Sequence, residues 1–308
     1  MKRRMVSTSI HSLNADCGLG IAGKVAWLAL NMINNTFPGA RVDTGLRQGD
    51  FVVDDIDPRW EGFRRTTSPA RRLCDLFWEH LPLQSMATEL GGQVRALEVG
   101  CGSGIYGAYL DSALSERVFY RGVDIAPHAT WELHRKRGNC DFSVASAAGI
   151  HEHLRDANFI FTQSALEHFD GDLIFINQVA DFVSQATHPV IQVHLIPSAG
   201  CVTTFPWHGI RQYTPRTVSK ITRLFPEATQ KTLFRLGSAR CNALHRRWVT
   251  IPGYLGKGDK RQHDSVTYAR DLRHAIRNDM DNPAAREACF YALVMKTRCS
   301  GRTLDMGH

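Results

Sequence analysis

The sequence lacks the paired cysteines on which a disulfide scaffold depends. Its eight cysteines stand singly along 308 residues, with no CxxC pair and no framework spacing. In a chain this long, isolated cysteines are typical of reduced thiols in a cytosolic protein. A small secreted fold held together by disulfides is therefore excluded, and we expect a cytoplasmic location.

Long apolar runs are also missing. The first residues are basic, as in a signal peptide, but the apolar stretch that must follow them is absent. The nearest approach to a membrane segment, residues 18–33, is short and is interrupted by Lys24. We expect no membrane span, and we interpret residues 18–33 as a packed helix of a soluble protein.

The sequence has no concentrated block of charge of one sign. Its formal net charge is +7, but the basic residues occur in small, scattered groups. A solvated surface explains such groups better than a nucleic-acid groove does, so a nucleic-acid partner is not favoured. Hydrophobic residues make up 43% and charged residues 22% of the chain, which is the composition of a globular protein with a sizeable core.

Internal repeats are absent, and strand and helix patterns alternate instead. A serine cap followed by a proline predicts a helix over residues 68–82, and residues 166–185 also form a helical pattern. Apolar runs predict seven strands, over residues 94–99, 118–125, 141–147, 157–163, 189–197, 229–236 and 289–297. This order predicts an α/β fold with a doubly wound, seven-stranded and mostly parallel sheet.

The same pattern suggests how the chain is divided. We expect residues 1–67 to form an N-terminal extension and residues 68–308 to form the α/β domain. A helical excursion at about residues 236–285 precedes the last strand. That strand is expected inside the sheet, beside residues 189–197 and antiparallel to its neighbours.

The strongest local signal is the stretch "ALEVGCGSGIYGAYL" at residues 96–110. Its glycines follow the end of a predicted strand, where open α/β sheets bind their ligands. A P-loop would need a lysine and then a serine or threonine after the last glycine, and a dinucleotide fingerprint would need glycine at position 105. Ile105 and Tyr106 supply neither, so the spacing G-x-G-x-G indicates another kind of ligand.

Three further stretches identify a family. Asp124 ends the next strand, twenty residues after Gly104, where a carboxylate can bind both ribose hydroxyls of a nucleoside. "FIFTQSALEHF" follows, and later "WHGIRQYTPRTVSKI". Together with "LEVGCGSG" and "VDIA", these motifs resemble those of the class I S-adenosylmethionine-dependent methyltransferases of the small-molecule and glycan type. The resemblance covers about residues 68–297 and implies a methyltransferase with S-adenosyl-L-methionine as its cofactor.

The resemblance also implies roles for single residues. Glu98 and the glycine loop would hold the methionine end of the cofactor, and Asp124 would hold the ribose. Ile125 would pack on the adenine, and Ser146 stands where the family often has an acid that binds the adenine amino group. Gln163 would lie beneath the transferring methyl group. The whole cofactor-binding set is Glu98, Gly100, Cys101, Gly102, Gly104, Asp124, Ile125, Ser146 and Gln163.

A hydroxyl acceptor benefits from a base that takes its proton, and histidine is the commonest choice. His168 follows the fourth predicted strand and His208 lies in the loop after the fifth, so in this family's fold both would overhang the methyl group. We rank His208 first as the base and His168 second. Some relatives bind a divalent ion through a pair like Glu167–His168 and an additional acid. Ser164 occupies the place of that acid, so we expect no metal.

The acceptor pocket is expected to come from segments outside the cofactor motifs. We expect residues 1–67 and the loop 198–214 to form a lid over it. The loop carries side chains suited to stacking on a sugar ring and binding its hydroxyls, namely Trp207, His208, Arg211 and Tyr213. Alternatively, Trp207 and Tyr213 only pack the helix that begins at Pro215.

The leading hypothesis is methyl transfer to a small molecule or to a sugar hydroxyl. The similarity through residues 194–221 favours surface polysaccharide or lipopolysaccharide biosynthesis, by analogy. An RNA methyltransferase and a cofactor-binding scaffold without catalysis stay as alternatives, whereas Ile105 disfavours an oxidoreductase. The acceptor would be a small molecule or a glycan, and the sequence does not indicate the oligomeric state.

Overall fold

The computed structural model describes residues 5–54, 56, 64–282 and 288–298. Its strands are β1 (Leu46–Asp50), β2 (Val94–Val99), β3 (Val118–Asp124), β4 (Cys140–Val144), β5 (Phe159–Gln163), β6 (Val190–Pro197), β7 (Gln230–Leu236) and β8 (Phe290–Thr297). Its helices are α1 (Ile21–Thr36), α2 (Pro69–His80), α3 (Leu83–Glu89), α4 (Ile105–Leu114), α5 (Trp131–Arg135), α6 (His151–Leu154), α7 (Asp172–Gln185), α8 (Pro215–Thr222), α9 (Ala239–His245), α10 (Ile251–Tyr254) and α11 (Ser265–Asp281).

The strands form one sheet in the order β1-β7-β8-β6-β5-β2-β3-β4. Strand β8 pairs antiparallel with both β6 and β7, and every other pairing is parallel. The predicted doubly wound, mostly parallel sheet and its antiparallel last strand are therefore confirmed. Helices α9 to α11 lie between β7 and β8, in the segment where the sequence predicts a helical excursion.

The strand count differs from the prediction, because the sheet has eight strands and not seven. The additional strand, β1, lies within the predicted extension and pairs with β7 at the edge of the sheet. Its sequence "LRQGD" buries only Leu46 and has no alternation of apolar and polar residues. It is held by backbone pairing with β7 and by an ion pair between Arg235 and Asp50 at 2.6 Å. Neither interaction requires a pattern of hydrophobic residues in the sequence, so the strand was not predicted.

Helix starts follow the capping signals. The hydroxyl of Ser68 accepts a hydrogen bond from the Arg71 amide, with Pro69 in the first turn of α2, as predicted. The predicted helix 166–185 is wrong at its start, because α7 begins only at Asp172. Residues Leu166–His168 instead form a separate 3-10 turn directly after β5. This places His168 near the carboxyl edge of the sheet.

Helices cover both faces of the sheet and enclose two apolar layers. On one face α2 buries Trp78 against Phe159 and Phe161 of β5. On the other face α7 buries Ile176 and Val179. Burial on both faces explains why the central strands are almost continuously apolar. Among the described helices, none is long and apolar enough to cross a membrane.

Candidate active site

The glycine loop connects β2 to α4 and is hydrogen-bonded to the carboxyl end of the neighbouring strand β3. The amides of Gly100 and Cys101 donate to the carbonyl oxygen of Val123, at 2.8 and 3.1 Å. The amide of Gly102 donates to Oδ2 of Asp124 at 2.7 Å. The structure thus brings the loop and Asp124 together, and one carboxylate oxygen of Asp124 already holds the loop in shape.

The loop glycines differ in what surrounds them. Gly102 and Gly104 both have a positive φ, of 48° and 75°, which disfavours other residues. A Cβ atom at Gly104 would overlap the ring of Phe142, whereas one at Gly102 would meet nothing within 4 Å among the described residues. Gly104 is therefore required by packing, while Gly102 faces open space that a ligand can approach.

The side chains of Glu98 and Cys101 point beneath the loop and are buried. Glu98 is buried and accepts a hydrogen bond from the Tyr120 hydroxyl at 2.5 Å. Burial raises the pKa of Glu98 to about 8, although the Tyr120 hydrogen bond opposes this shift. The Cys101 thiol is also buried, which raises its pKa, and it lies near Gly122. Only the backbone of Cys101 is placed to meet a ligand.

The raised pKa of Glu98 predicts that the unliganded protein loses stability as the pH rises. Above pH 4.5, the ordinary pKa of the side chain, the unfolded state releases the Glu98 proton while the folded state keeps it. Between that pH and about 8, the free energy of unfolding should fall by up to about 1.4 kcal/mol per pH unit from this group. Glu98→Gln should remove this slope in urea unfolding measured at several pH values. The exposed control Glu227→Gln should keep it, and an unchanged slope in Glu98→Gln would contradict the burial argument.

Two residues near Glu98, Arg71 and Tyr106, have no role in the sequence-based prediction of the site. Arg71 of α2 donates from Nη1 to the Tyr106 hydroxyl at 2.7 Å, and its charge lowers the pKa of Glu98. Both Arg71 and Tyr106 line a cavity of about 1140 Å³ beside the glycine loop. A cation and a buried acid therefore lie together where the methionine end of the cofactor is expected.

The adenine side of the expected site is open. Ile125 follows β3 and is 77% exposed, and Ser146 lies beyond the end of β4 with its side chain exposed. Behind the loop, Trp131 donates from Nε1 to the carbonyl oxygen of Gly102 at 2.8 Å. Ile125 and Ser146 are accessible at the same edge of the sheet as the loop, and their roles toward adenine stay predictions.

Gln163 ends β5, and its side chain is buried. Its Oε1 accepts from Nε1 of Trp78 at 2.9 Å, and its Nε2 donates to the Ser164 hydroxyl at 3.1 Å. Ser164 has φ 49°, an uncommon value for a residue with a side chain, and it turns the chain sharply. Ala165 then packs directly on Gly100. The turn that carries Glu167 and His168 thus begins against the glycine loop.

His168 and His208 lie together, and a third residue joins them. Their ring centroids are 4.7 Å apart. Nδ1 of His168 lies 2.6 Å from Oδ2 of Asp16, and Nδ1 of His208 lies 3.7 Å from Oδ1 of Asp16. Burial and the neighbouring His168 lower the pKa of His208. Asp16 has no motif around it and is 152 residues from His168 in the chain, so no sequence signal identified it.

Arg211 and Tyr213 do not face an acceptor, contrary to the sequence-based expectation. Both are fully buried. Arg211 donates to the carbonyl oxygens of Leu166, Phe169 and Asp170. The Tyr213 hydroxyl contacts the carbonyl oxygen of Leu166 and donates to Oδ2 of Asp172. They hold the turn after β5 in place. The sequence gives the polarity of these residues but not their burial.

The N-terminal segment packs on the loop 198–214. Trp27 of α1 donates from Nε1 to the carbonyl oxygen of Gly209 at 2.9 Å, and the Ala15 amide donates to the same oxygen at 3.0 Å. Trp207 donates from Nε1 to the Lys24 carbonyl at 3.2 Å, so its indole contacts α1. Of the four side chains expected to meet an acceptor, His208 is the most exposed, at 48%.

No protein-family model matches the sequence, and no curated protein matches it significantly. Solved structures similar to the chain include the [4+2]-cyclase SpnF, with a TM-score of 0.48 and 12% identity over 96% of this chain and 99% of that one. Another is a putative sarcosine dimethylglycine methyltransferase from Galdieria sulphuraria, with a TM-score of 0.44 and 14% identity over 74% and 85%. A third is a SAM dependent methyltransferase from Archaeoglobus fulgidus, with a TM-score of 0.43 and 17% identity over 72% and 94%.

The topology of the chain itself defines its fold. A glycine loop follows β2, which lies inside the parallel part of a doubly wound sheet, and an acid follows at the end of the adjacent β3. The last strand inserts antiparallel between β6 and β7, and one strand is added at the edge. The chain therefore has a doubly wound, Rossmann-like α/β fold with one antiparallel strand inserted in the sheet.

Proposed function

We propose that the chain is an enzyme that transfers a methyl group from S-adenosyl-L-methionine to a hydroxyl group of a small molecule, with a sugar as the acceptor. The observation that carries this proposal is the glycine loop that is bonded to Asp124 and opens beside a cavity of about 1140 Å³. Both features lie at the carboxyl edge of the parallel strands, where this kind of sheet binds its ligands.

The charges around the loop match the two ends of the cofactor. The free oxygen of Asp124 would accept from a ribose hydroxyl, while its other oxygen holds Gly102. At the methionine end, Glu98 would attract the ammonium group and Arg71 the carboxylate. Arg71 lines the cavity beside the loop, and Glu98 is buried beneath the loop, close enough for the charge of Arg71 to lower its pKa.

Methyl transfer to an oxygen needs alignment more than covalent help from the protein. The acceptor oxygen forms a bond to the methyl carbon as the carbon–sulfur bond breaks, and the acceptor releases its proton. The products are a methyl ether, S-adenosylhomocysteine and a proton. Because the reaction removes the positive charge from sulfur, a dry and pre-aligned site supplies much of the acceleration.

The described residues of the segment 1–67 and the loop 198–214 serve as the lid that keeps the reaction dry, and residues 1–4, 55 and 57–63 lie outside the described part of the chain. Support comes from the hydrogen bonds of Trp27 and Ala15 to Gly209, which attach the N-terminal segment to the loop. The cavity is lined by aromatic, hydroxyl-bearing and charged residues, including Tyr106, Tyr109, Thr66 and Arg71. Such a lining suits a sugar, because a ring face can stack while the hydroxyls form hydrogen bonds.

The pair His168 and His208 would handle the proton of the acceptor. We expect His208→Ala to lower turnover about tenfold and to leave the affinity for S-adenosylmethionine nearly unchanged. The loss is below the usual range for general bases because His168 remains and alignment is intact. Steady-state kinetics and calorimetry on the same preparations would measure the two effects separately.

The matched control is His151→Ala, since His151 is an exposed histidine of α6, outside this pair. It should behave as the wild type in both measurements. Equal turnover of His208→Ala and the wild type would remove His208 from the mechanism. A loss of cofactor affinity in that variant would instead assign it to the cofactor half of the site.

The proposed activity is tested by incubating the protein with S-adenosylmethionine and a panel of nucleotide sugars, free glycans and other small hydroxyl compounds. Mass spectrometry should find one product that has gained a single methyl group, with one equivalent of S-adenosylhomocysteine. Methylation of RNA, with steep dependence on salt concentration, would favour the nucleic-acid alternative. Cofactor binding without turnover across the panel would favour a scaffold.

A further inference from the structure

Three side chains from distant parts of the chain converge beside the turn after β5. One ligand atom from each of Asp16, His168 and His208 lies within 4.8 Å of one from each of the others. Oδ1 of Asp16 also accepts a hydrogen bond from the Gly209 amide at 3.2 Å, which fixes the carboxylate between the two rings. The group therefore offers two imidazole nitrogens and one carboxylate toward a single point.

A fourth side chain points to a ligand independently. Glu167 is fully buried, and among the described residues neither of its carboxylate oxygens has a hydrogen-bond partner. Its Oε1 faces Nε2 of His168 at 3.8 Å. An unpartnered buried carboxylate is unfavourable unless a positive group compensates it. His168 thus has Asp16 at one ring nitrogen and Glu167 at the other.

An ion pair alone explains this arrangement poorly. A protonated His168 could pair with Asp16, but this ion pair does not account for the second imidazole, that of His208, whose ring centroid lies 4.7 Å from that of His168. Histidines that bind a metal through one ring nitrogen usually donate the other N–H to a carboxylate, which fixes the ring and raises its basicity. Glu167 is placed for that role.

We propose that Asp16, His168 and His208 bind a divalent first-row transition-metal ion, with Glu167 as the positioning residue that orients His168. Two imidazoles and one carboxylate suit manganese, iron, cobalt or zinc better than magnesium, which prefers oxygen ligands. Three protein ligands leave open coordination positions. The side chains of Asp16, His168 and His208 are 40%, 31% and 48% exposed, so the open positions can face a substrate.

This site supplies the acid that the sequence analysis found missing. Ser164 stands where an additional acid is expected, and on that ground no metal was predicted. Asp16 approaches the same turn from the N-terminal segment instead, through the attachment of Ala15 to Gly209. The N-terminal segment therefore completes the site and does not only cover it.

The consequence for the reaction rests on the proposed function. An acceptor hydroxyl bound to the cation would have a lowered pKa and would release its proton to solvent as its oxygen attacks the methyl carbon. In that case His168 and His208 act as ligands and not as bases. The metal-binding test below needs neither acceptor nor turnover, so its failure is distinguishable from failure of the proposed function.

The test is a titration of Co²⁺ into untagged protein that has been freed of metal with a chelator, followed by visible absorption and calorimetry. The wild type should bind one equivalent and show the d–d bands of a nitrogen–oxygen site. Asp16→Ala, His168→Ala and His208→Ala should each lose the bands and weaken binding at least tenfold. Glu167→Gln should weaken binding by about 10-fold to 100-fold, as expected for an outer-shell partner.

Folding and specificity controls accompany the titration. Asp16→Asn provides a conservative variant, thermal unfolding and S-adenosylmethionine calorimetry verify that each variant is folded, and His151→Ala should bind Co²⁺ as the wild type does. Absence of a stoichiometric Co²⁺ site in the wild type would overturn the proposal. So would unchanged Co²⁺ binding in folded Asp16→Asn and His208→Ala.

Discussion

Asp124→Ala should weaken the binding of S-adenosylmethionine by about 2–3 kcal/mol while the protein stays folded. The carboxylate has two tasks in the proposed complex. Its Oδ2 accepts from the Gly102 amide at 2.7 Å, and its other oxygen would accept from a ribose hydroxyl. Alanine removes both interactions, so the ligand loses a partner and the loop loses a constraint.

Asp124→Asn separates these two tasks. Its side-chain oxygen can still accept from Gly102, but the amide nitrogen cannot accept from a ribose hydroxyl. We therefore expect an affinity between those of the wild type and Asp124→Ala, with a thermal stability close to that of the wild type. Isothermal titration calorimetry measures the affinity, and unchanged affinity in folded Asp124→Ala would exclude Asp124 from the cofactor site.

Gly104→Val should destabilise the fold itself, by about 3–5 kcal/mol. Residue 104 directly precedes α4, and a branched residue is strained at its φ of 75°. The added Cβ atom would also overlap the ring of Phe142 in β4. Phe142 is buried and stacks on Trp131, so it has little room to move. Chemical denaturation should show the loss as a lower midpoint.

Gly102→Val is the matched substitution in the same loop. The added side chain meets open space among the described residues, so only the strain of φ 48° opposes it, at a cost of about 1–2 kcal/mol. It should stay folded and lose cofactor binding, because the branched side chain occupies the side from which the ligand approaches. If both valine variants unfolded equally, the distinction between a packed and a ligand-facing glycine would be wrong.

Much of the fold could be predicted because burial leaves periodic patterns in the sequence. The apolar runs of β5 and β6 and the capped start of α2 identify these elements without any tertiary information. Strand β1 leaves no such pattern, since an edge strand held by backbone pairing needs few apolar residues.

The candidate site was less predictable because it depends on contacts between distant segments. Asp124 and the glycine loop carry local signals, whereas Asp16 and Arg71 have none and reach the site only through folding. Arg211 was assigned wrongly for a related reason. A polar side chain in a loop is expected to be accessible, but hydrogen bonds to three backbone carbonyl oxygens hold Arg211 inside the protein.

The most direct test of the central claim is a calorimetric comparison of cofactors on the wild-type protein. S-adenosylmethionine and S-adenosylhomocysteine should each bind with a stoichiometry of one per chain, because in the proposed site Glu98 would bind the amino-acid end and Asp124 the ribose, with Gly102 open to the ligand. Nicotinamide adenine dinucleotide should not bind measurably, since Ile105 replaces the glycine that its pyrophosphate site requires. Tighter binding of the dinucleotide, or no binding of S-adenosylmethionine, would contradict the assignment of this site.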